Sequence, residues 1–434
     1  MTTLNSHMVF IGIGGIGMSA IARHCLRQGK PVFGYDKVRT ELTSLLESEG
    51  AIITYEENIE SYPGWAPEDT TVVFTPAIPK SNAWMSFFGP FAPIKRAQAL
   101  AGIANEKRCL AVAGTHGKTS TSALLTHILT EAGQDPTAFI GGIMSGTKTN
   151  YRLGNGPWVV VEADEFDRSF LHLHPEAAGI TTVDADHLDI YGDEDALAEA
   201  FAAFRDQISS SVFTPTGLEN TTAVGTAGSH AWASDIKPEN GAFHFTLHLA
   251  GETVQTALYM PGHHNVSNAV LAASLAHYAG VPVRIIGQAI ESFVGIRRRF
   301  EYHLQRPIAL IEDYAHHPTE INALLGSVQA LYPNGKICLC FQPHLFSRTR
   351  DFMDGFARAL DRADEVLLLP IYPAREMPIE GITSEALAAK MKKARVVKKE
   401  ALARAIKATE PSVVLVVGAG DIGDLVPMIK AEFA

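Results

Sequence analysis

Residues 110–120 read Leu-Ala-Val-Ala-Gly-Thr-His-Gly-Lys-Thr-Ser, an apolar run that breaks into a glycine-rich turn ending in Lys-Thr. No other stretch constrains the fold as much, because it fixes a strand, a tight turn and, from the apolar periodicity of Ser122–Leu129, a helix in that order. Backbone N–H groups of such a turn converge on an anion, and the helix dipole adds to the attraction. Gly114, Thr115, Gly117 and Ser120 belong to the cradle. Lys118 is expected to be a solvated loop residue that reaches the β/γ-phosphates of ATP, and Thr119 to ligate Mg²⁺. The usual spacing would place a glycine at position 112, where this chain has Val112, so the motif is a shortened form.

At 434 residues the chain is too long for one ordinary core and predicts two to four domains. A net charge of −11 speaks against nonspecific nucleic-acid binding, which needs a basic surface. Anionic ligands must therefore be held by local basic clusters. Cys25, Cys109, Cys338 and Cys340 show no zinc or redox spacing, and the last two alternate on an apparent strand. They are expected in the core, as suits a reducing compartment. No basic leader precedes the first strand and no apolar run reaches bilayer length, so a cytoplasmic location without membrane insertion is expected.

The run Met8–Ile13 enters Gly12-Ile13-Gly14-Gly15-Ile16-Gly17, followed by a helical pattern to about Gln28 and a strand Pro31–Tyr35 ending at Asp36. That is a βαβ unit with Gly12, Gly14, Gly15 and Gly17 in the turn and Asp36 at the usual ribose position. The strand Thr71–Phe74 and the loop from Thr75 complete a Rossmann-like domain over 1–105. A central domain with a phosphate loop and parallel sheet is expected over 106–294, and a Rossmann-like α/β domain over 295–434. Alternation of strands and helices predicts parallel sheets throughout. The last domain closes with a second Gly-x-Gly-x-x-Gly turn at 418–423.

Glu162-Ala163-Asp164-Glu165 should lie at a strand's C-terminal end, where carboxylates can hold Mg²⁺; a solvated acidic turn is the alternative. Asp184-Ala185-Asp186-His187-Leu188-Asp189 is either a second such site, with His187, or a turn cluster. Asn265 and Asn268, one helical turn apart, can read a base edge or merely cap a helix. Arg297-Arg298-Arg299 is a candidate phosphate clamp or an exposed salt-bridged run. Asp313-Tyr314-Ala315-His316 and Gln342-Pro343-His344 with Arg348 end two further strands and imply a substrate cleft. The first glycine turn alone also fits an NAD-dependent oxidoreductase; two nucleotide sites fit better with ATP plus a nucleotide-linked substrate.

Taken in order, Gly-Ile-Gly-Gly-Ile-Gly-Met at 12–18, Ala-Gly-Thr-His-Gly-Lys-Thr at 113–119, Glu-Ala-Asp-Glu at 162–165, Asp-Ala-Asp-His-Leu-Asp at 184–189, Arg-Arg-Phe at 298–300 and Asp-Tyr-Ala-His-His-Pro-Thr-Glu at 313–320 resemble the Mur ligases over essentially the whole chain. The resemblance implies ATP-dependent joining of L-alanine to the carboxylate of UDP-N-acetylmuramate, through an acyl phosphate, by a monomer or weak homodimer. A member that attaches a ready-made tripeptide to the same sugar nucleotide is the alternative. It implies catalytic Lys118, Glu162 and His187, with Thr119, Glu162 and His187 as metal ligands. Asn265, Asn268, Arg298 and Asp313 would hold the nucleotide of ATP. Gly12 to Gly17, with Asp36 and Thr75, would hold the uridine diphosphate. Tyr314, His316, His344 and Arg348 match the amino-acid end of the cleft. The residue after His344 is often Arg in the family and is Leu345 here.

Overall fold

Apolar runs that stop at glycine or polar turns become the strands of four sheets. The computed structural model describes residues 3–183, 194–215, 221–239, 241–374 and 376–433. Two compact units result. One comprises Met1–Ser234, Thr246–Gln255 and Ser267–Ser292, the other Asp235–Phe245, Thr256–Val266 and Phe293–Ala434.

The first unit holds two sheets. Strands β1 (His7–Ile11), β2 (Val32–Tyr35), β3 (Ile52–Thr54), β4 (Thr70–Phe74) and β5 (Ile94–Lys95) form a parallel sheet in the order β3-β2-β1-β4-β5. The helix Ile16–Arg27 follows β1 and buries Met18, Ile21, Ala22 and Cys25, the i, i+3, i+4, i+7 stripe of an amphipathic helix. Strands β6 (Arg108–Ala113), β7 (Thr137–Met144), β8 (Thr149–Arg152), β9 (Trp158–Glu162), β10 (Ala177–Ile180), β11 (Ser211–Thr214) and β12 (Thr222–Ala223) form the second, in the order β12-β11-β10-β6-β9-β7-β8. Central β6 is buried on both faces from Cys109 to Ala113, which is why it reads as an unbroken apolar run and not as an alternating one. The phosphate turn leaves its C-terminal end between β9 and β10.

Strands β13 (Ala231–Glu239), β14 (Ala242–Leu249) and β15 (Glu252–Leu258) form a three-stranded sheet. In the second unit β16 (Glu301–Leu304), β17 (Ala309–Asp313), β18 (Ile337–Phe341), β19 (Glu365–Leu368), β20 (Ala394–Val396) and β21 (Val413–Val417) take the order β16-β17-β21-β18-β19-β20. Cys338 and Cys340 are buried free thiols on β18, as expected.

The expectation of parallel sheets throughout needs correction in the three-stranded sheet, where β14 ends at Leu249 and β15 begins at Glu252, and at an edge of each of two larger sheets. β8 pairs antiparallel with β7, and β16 with β17. The connections, 145–148 and 305–308, are too short for the crossover that parallel pairing requires. A second consequence of topology concerns the cleft. β17 and β18 follow one another in sequence but are separated by β21, so their polar ends flank a switch point, where α/β sheets gather ligands. Among the described residues no helix is long and apolar enough to cross a membrane.

Candidate active site

The phosphate turn is built as the sequence requires. Gly114 and Gly117 have φ of +121° and +84°, left-handed values that favour glycine. A Cβ on Gly114 would lie 2.9 Å from the backbone N of Thr182, so the turn is pressed against the end of β10. Thr115 N donates to Thr182 O at 2.8 Å, and the helix Lys118–Glu131 begins directly after Gly117. Ser120 is half-buried in its first turn.

Three neighbouring carboxylates at the end of β9 have three different partners. Glu162 Oε1 accepts from the Thr119 hydroxyl at 3.0 Å and its Oε2 from Gly141 N at 2.9 Å. Asp164 pairs with Arg96 at 2.9 Å. Glu165 pairs with Lys118 at 2.7 Å, with side chains 1% and 13% exposed. Lys118 is therefore not the solvated residue expected from the sequence. Its ammonium also donates to Gly114 O and Thr115 O, at 2.7 and 3.2 Å. Burial works against its charge, but Glu165, Asp164 and Glu162 outweigh burial and hold it above the usual lysine range. Burial pushes Glu165 up, opposed by the Lys118 charge. The hydroxyl of Thr119 and carboxylate of Glu162 form a hard-oxygen donor pair of the kind Mg²⁺ takes. His187 and the acidic residues around it lie outside the described residues.

Asn268 lies against the phosphate turn: a Cβ on Gly117 would sit 2.5 Å from its Oδ1. Asn265 is buried and donates to Pro261 O at 3.2 Å. The two amides thus belong to different units, and each has its own surroundings.

Asp36, directly after β2, locks the glycine turn that follows β1 by accepting from Gly14 N at 2.7 Å. Thr75, just beyond β4, packs on the same turn, 2.9 Å from where a Cβ of Gly12 would lie. A glycine at position 14 lets a diphosphate approach the backbone, and it also answers to the protein's own packing. A Cβ there would fall 2.8 Å from both Asp36 Oδ2 and Thr43 Cγ2. Gly14→Ala should therefore act by displacing Asp36, and costs about 1–3 kcal/mol of stability as an overpacked site. Asp36→Ala should reproduce its effect on the Michaelis constant for the nucleotide held at this turn. A raised constant in Gly14→Ala with a normal one in Asp36→Ala would show that the turn works without the carboxylate.

In the second unit Arg298 bonds Glu312 at 2.9 Å and donates to Gly418 O and Gly420 O, at 2.7 and 2.9 Å. Gln342 bonds Asp421 and Ile422 N at 2.8 and 3.0 Å. Side chains of Gln342 and Tyr372 press on Gly420. The second glycine turn is thus filled by this protein's own groups, which leaves it no room as a dinucleotide cradle. Asp313 accepts from Phe300 N and Ala315 N, both at 2.8 Å. Burial pushes its carboxyl up to about 6 against the pull of Arg299. Arg298 and Arg299 flank the Tyr314 ring, 5.0 and 5.1 Å from its centre.

His316 and His344 come from the two strand ends, their rings 6.3 Å apart over β21. His344 stacks on Tyr372 at 5.7 Å. Burial lowers the His316 pKa, and the Arg348 charge, close enough to be felt, lowers it further. Nδ1 of His316 has two acceptors beside it, Tyr314 O at 3.0 Å and Glu320 Oε2 at 3.4 Å. The hydrogen of the neutral ring therefore belongs on Nδ1, which leaves Nε2 with a free lone pair. Glu165, Arg96, Glu312 and Tyr372 were not singled out from sequence. Glu165 sits inside a motif that was, and Glu312 directly precedes one; Arg96 and Tyr372 carry no local signal.

Comparison with known proteins agrees with this architecture. Residues 7–108 match the family described as Mur ligase family, catalytic domain; residues 112–276 match the Mur ligase middle domain; residues 298–420 match the Mur ligase, glutamate ligase domain. The UDP-N-acetylmuramate--L-alanine ligase of Flavobacterium psychrophilum is 47% identical, covering 98% of each chain. That of Christiangramia forsetii is 45% identical over 98% of this chain and 97% of its own. Among solved structures, UDP-N-acetylmuramate-alanine ligase from Thermotoga maritima superposes with a TM-score of 0.83 at 31% identity, covering 98% of this chain and 99% of that one. A murein peptide ligase from Psychrobacter arcticus shares the fold at 23% identity and TM-score 0.73. The chain belongs to the Mur ligase family.

Proposed function

We propose that this protein joins L-alanine to the carboxylate of UDP-N-acetylmuramate with hydrolysis of ATP to ADP and phosphate, an early step of peptidoglycan precursor synthesis in the cytoplasm. The observation that carries this is the phosphate turn: a buried ammonium and a hydroxyl–carboxylate pair stand together where a strand, a glycine turn and a helix N-terminus meet. The names of the full-length relatives supply the substrates.

A carboxylate resists attack by an amine because resonance and charge repel the nucleophile. Its oxygen takes the γ-phosphoryl group of ATP, ADP leaves, and the acyl phosphate so formed has a good leaving group. Lys118 neutralises charge that gathers as the two anions meet. Thr119 and Glu162 would hold Mg²⁺, with His187 at a second carboxylate or metal site. When bound, that ion supplies further charge neutralisation on the phosphate oxygens. The amine of L-alanine adds to the acyl carbon, phosphate departs, and one proton must leave the nitrogen. His316, neutral with Nε2 unprotonated, is suited to receive it. Arg348 and His344 would hold the alanine carboxylate beside Tyr314. Gly12, Gly14, Gly15, Gly17, Asp36 and Thr75 would hold the uridine diphosphate. Asn268 would serve the ATP side of the phosphate turn, and Asn265, Arg298 and Asp313 would contact the nucleotide of ATP.

The test is phosphate release with every component present and with each withheld in turn. Release should require ATP, Mg²⁺, UDP-N-acetylmuramate and L-alanine together. Release that needs a tripeptide in place of L-alanine would assign the peptide-recycling reaction instead. Tight NAD binding without phosphate release would remove the ligase reading.

A further inference from the structure

Lys95 and Arg96 stand where β5 ends and the helix Arg96–Ala104 begins, and each meets a carboxylate from the segment after β9. Lys95 pairs with Asp167 at 2.6 Å and Arg96 with Asp164 at 2.9 Å. The guanidinium also lies on the first glycine turn, since a Cβ on Gly17 would collide with its Nη1. A cavity of ≈ 160 Å³ runs from this turn toward the metal-binding pair, lined by Ile16, Gly17, Arg96, Gly141, Glu162 and Asp164 among others. Whole-ligand pockets are about 300–1,000 Å³, so only one end of a substrate fits. Two of its walls are carboxylates. Any anionic group entering there is repelled unless a cation receives it, and Arg96 is the sole cation among the described lining residues.

We propose that Arg96 recognises the lactyl carboxylate of the sugar nucleotide, and that Asp164 is a positioning residue that holds the guanidinium for it. Asp164 occupies one Nη of the fork and leaves the opposite edge for the substrate. A planar fork matches a carboxylate in a way an ammonium does not. This assignment rests on the substrate reading above and narrows it to one residue. It also places the group to be phosphorylated in the same cavity as Glu162, which serves the phosphate side.

Calorimetric titration without ATP tests it, using UDP-N-acetylmuramate and UDP-N-acetylglucosamine, which lacks the lactyl acid. Arg96→Ala should weaken the muramate compound by about ten- to a hundredfold, the range of one charge-assisted contact, and the glucosamine compound by less than about threefold. Arg96→Lys should recover part of the loss. Asp164→Asn should lower muramate affinity severalfold while leaving glucosamine affinity unchanged. Should Arg96→Ala melt below the assay temperature, Arg96→Lys carries the comparison alone. Equal losses for the two compounds, or no loss for either, overturn the assignment. Phosphate release by the unaltered enzyme decides the substrate reading separately: turnover with an unselective Arg96 defeats only this inference, and absence of turnover defeats the substrate reading itself.

Discussion

Lys118→Ala is expected to lose turnover by at least about 10²–10³-fold and to lose stability as well. The catalytic part follows from removing a preorganised charge aimed at the phosphoryl group in transfer. The stability part follows from Glu165, whose side chain is only 1% exposed and which pairs with Lys118 at 2.7 Å. Removing one member of a buried ion pair costs about 3–5 kcal/mol, less whatever the carboxylate deprived of the ammonium recovers by taking a proton. That recovery gives the prediction a pH signature. Without Lys118 the strongest opposing influence is gone, and burial together with the Asp164 charge raises the folded pKa of Glu165 further above the unfolded one. The folded state then binds the proton more tightly, so the penalty is complete above the folded pKa. It fades as pH falls toward the ordinary carboxylate range. Thermal melts of Lys118→Ala against the unaltered protein, taken from neutral to mildly acid pH, should converge. Lys118→Met combined with Glu165→Gln should restore the melt without restoring phosphate release. Near-normal turnover in folded Lys118→Ala would falsify the central role of the phosphate turn.

The fate of these residues shows what a sequence can and cannot disclose. The strand before Gly114, the glycine turns and the helices after them were legible because each is a local pattern: an apolar run, a φ that favours glycine, a 3.6-residue stripe. The carboxylates of 162–165 were legible as a group but not as individuals. The strand ends at Glu162 and the chain has turned to αR geometry by Glu165, so Glu162 meets Thr119, Asp164 meets Arg96 and Glu165 meets Lys118. Which neighbour meets which partner depends on strand order, and strand order is not written locally. The same holds for 418–423. Its spacing is that of a nucleotide turn, yet Arg298 and Gln342, far away in sequence, fill it. Gly14 shows the inverse case: its place in the turn is a local pattern, but the neighbours a Cβ would meet there, Asp36 and Thr43, come from beyond the motif.

The Michaelis constant for L-alanine should rise by about ten- to a hundredfold in Arg348→Ala, with the constants for ATP and the sugar nucleotide nearly unchanged. The alanine carboxylate needs a cation, and Leu345 stands where the family often has a second arginine. Backbone geometry supports Arg348 as the cation, with His344 as a weaker donor. Leu345 has φ +72° and ψ 137°, a conformation that costs a residue with a Cβ about 1–3 kcal/mol and persists only where its surroundings enforce it. Here its N–H donates to Tyr372 O at 3.0 Å, and its carbonyl accepts the Thr349 hydroxyl at 2.7 Å. Glu376 takes the Ser347 N–H at 2.9 Å and its hydroxyl as well. These contacts fix the start of the short helix Phe346–Asp351, which carries Arg348 at the end of β18, with its charge felt at His316. One charge-assisted, bidentate contact in a closed site contributes on the order of 1.5–3 kcal/mol, which sets the expected range. Arg348→Lys should recover only part, because an ammonium cannot present the planar fork. Glu376→Gln, which keeps one acceptor for Ser347, should give a smaller rise by loosening the turn. Initial rates over a range of L-alanine concentrations for each variant settle the matter: an unchanged alanine constant in Arg348→Ala means that the carboxylate is held by other groups, and the amino-acid pocket lies away from the β17–β18 switch point.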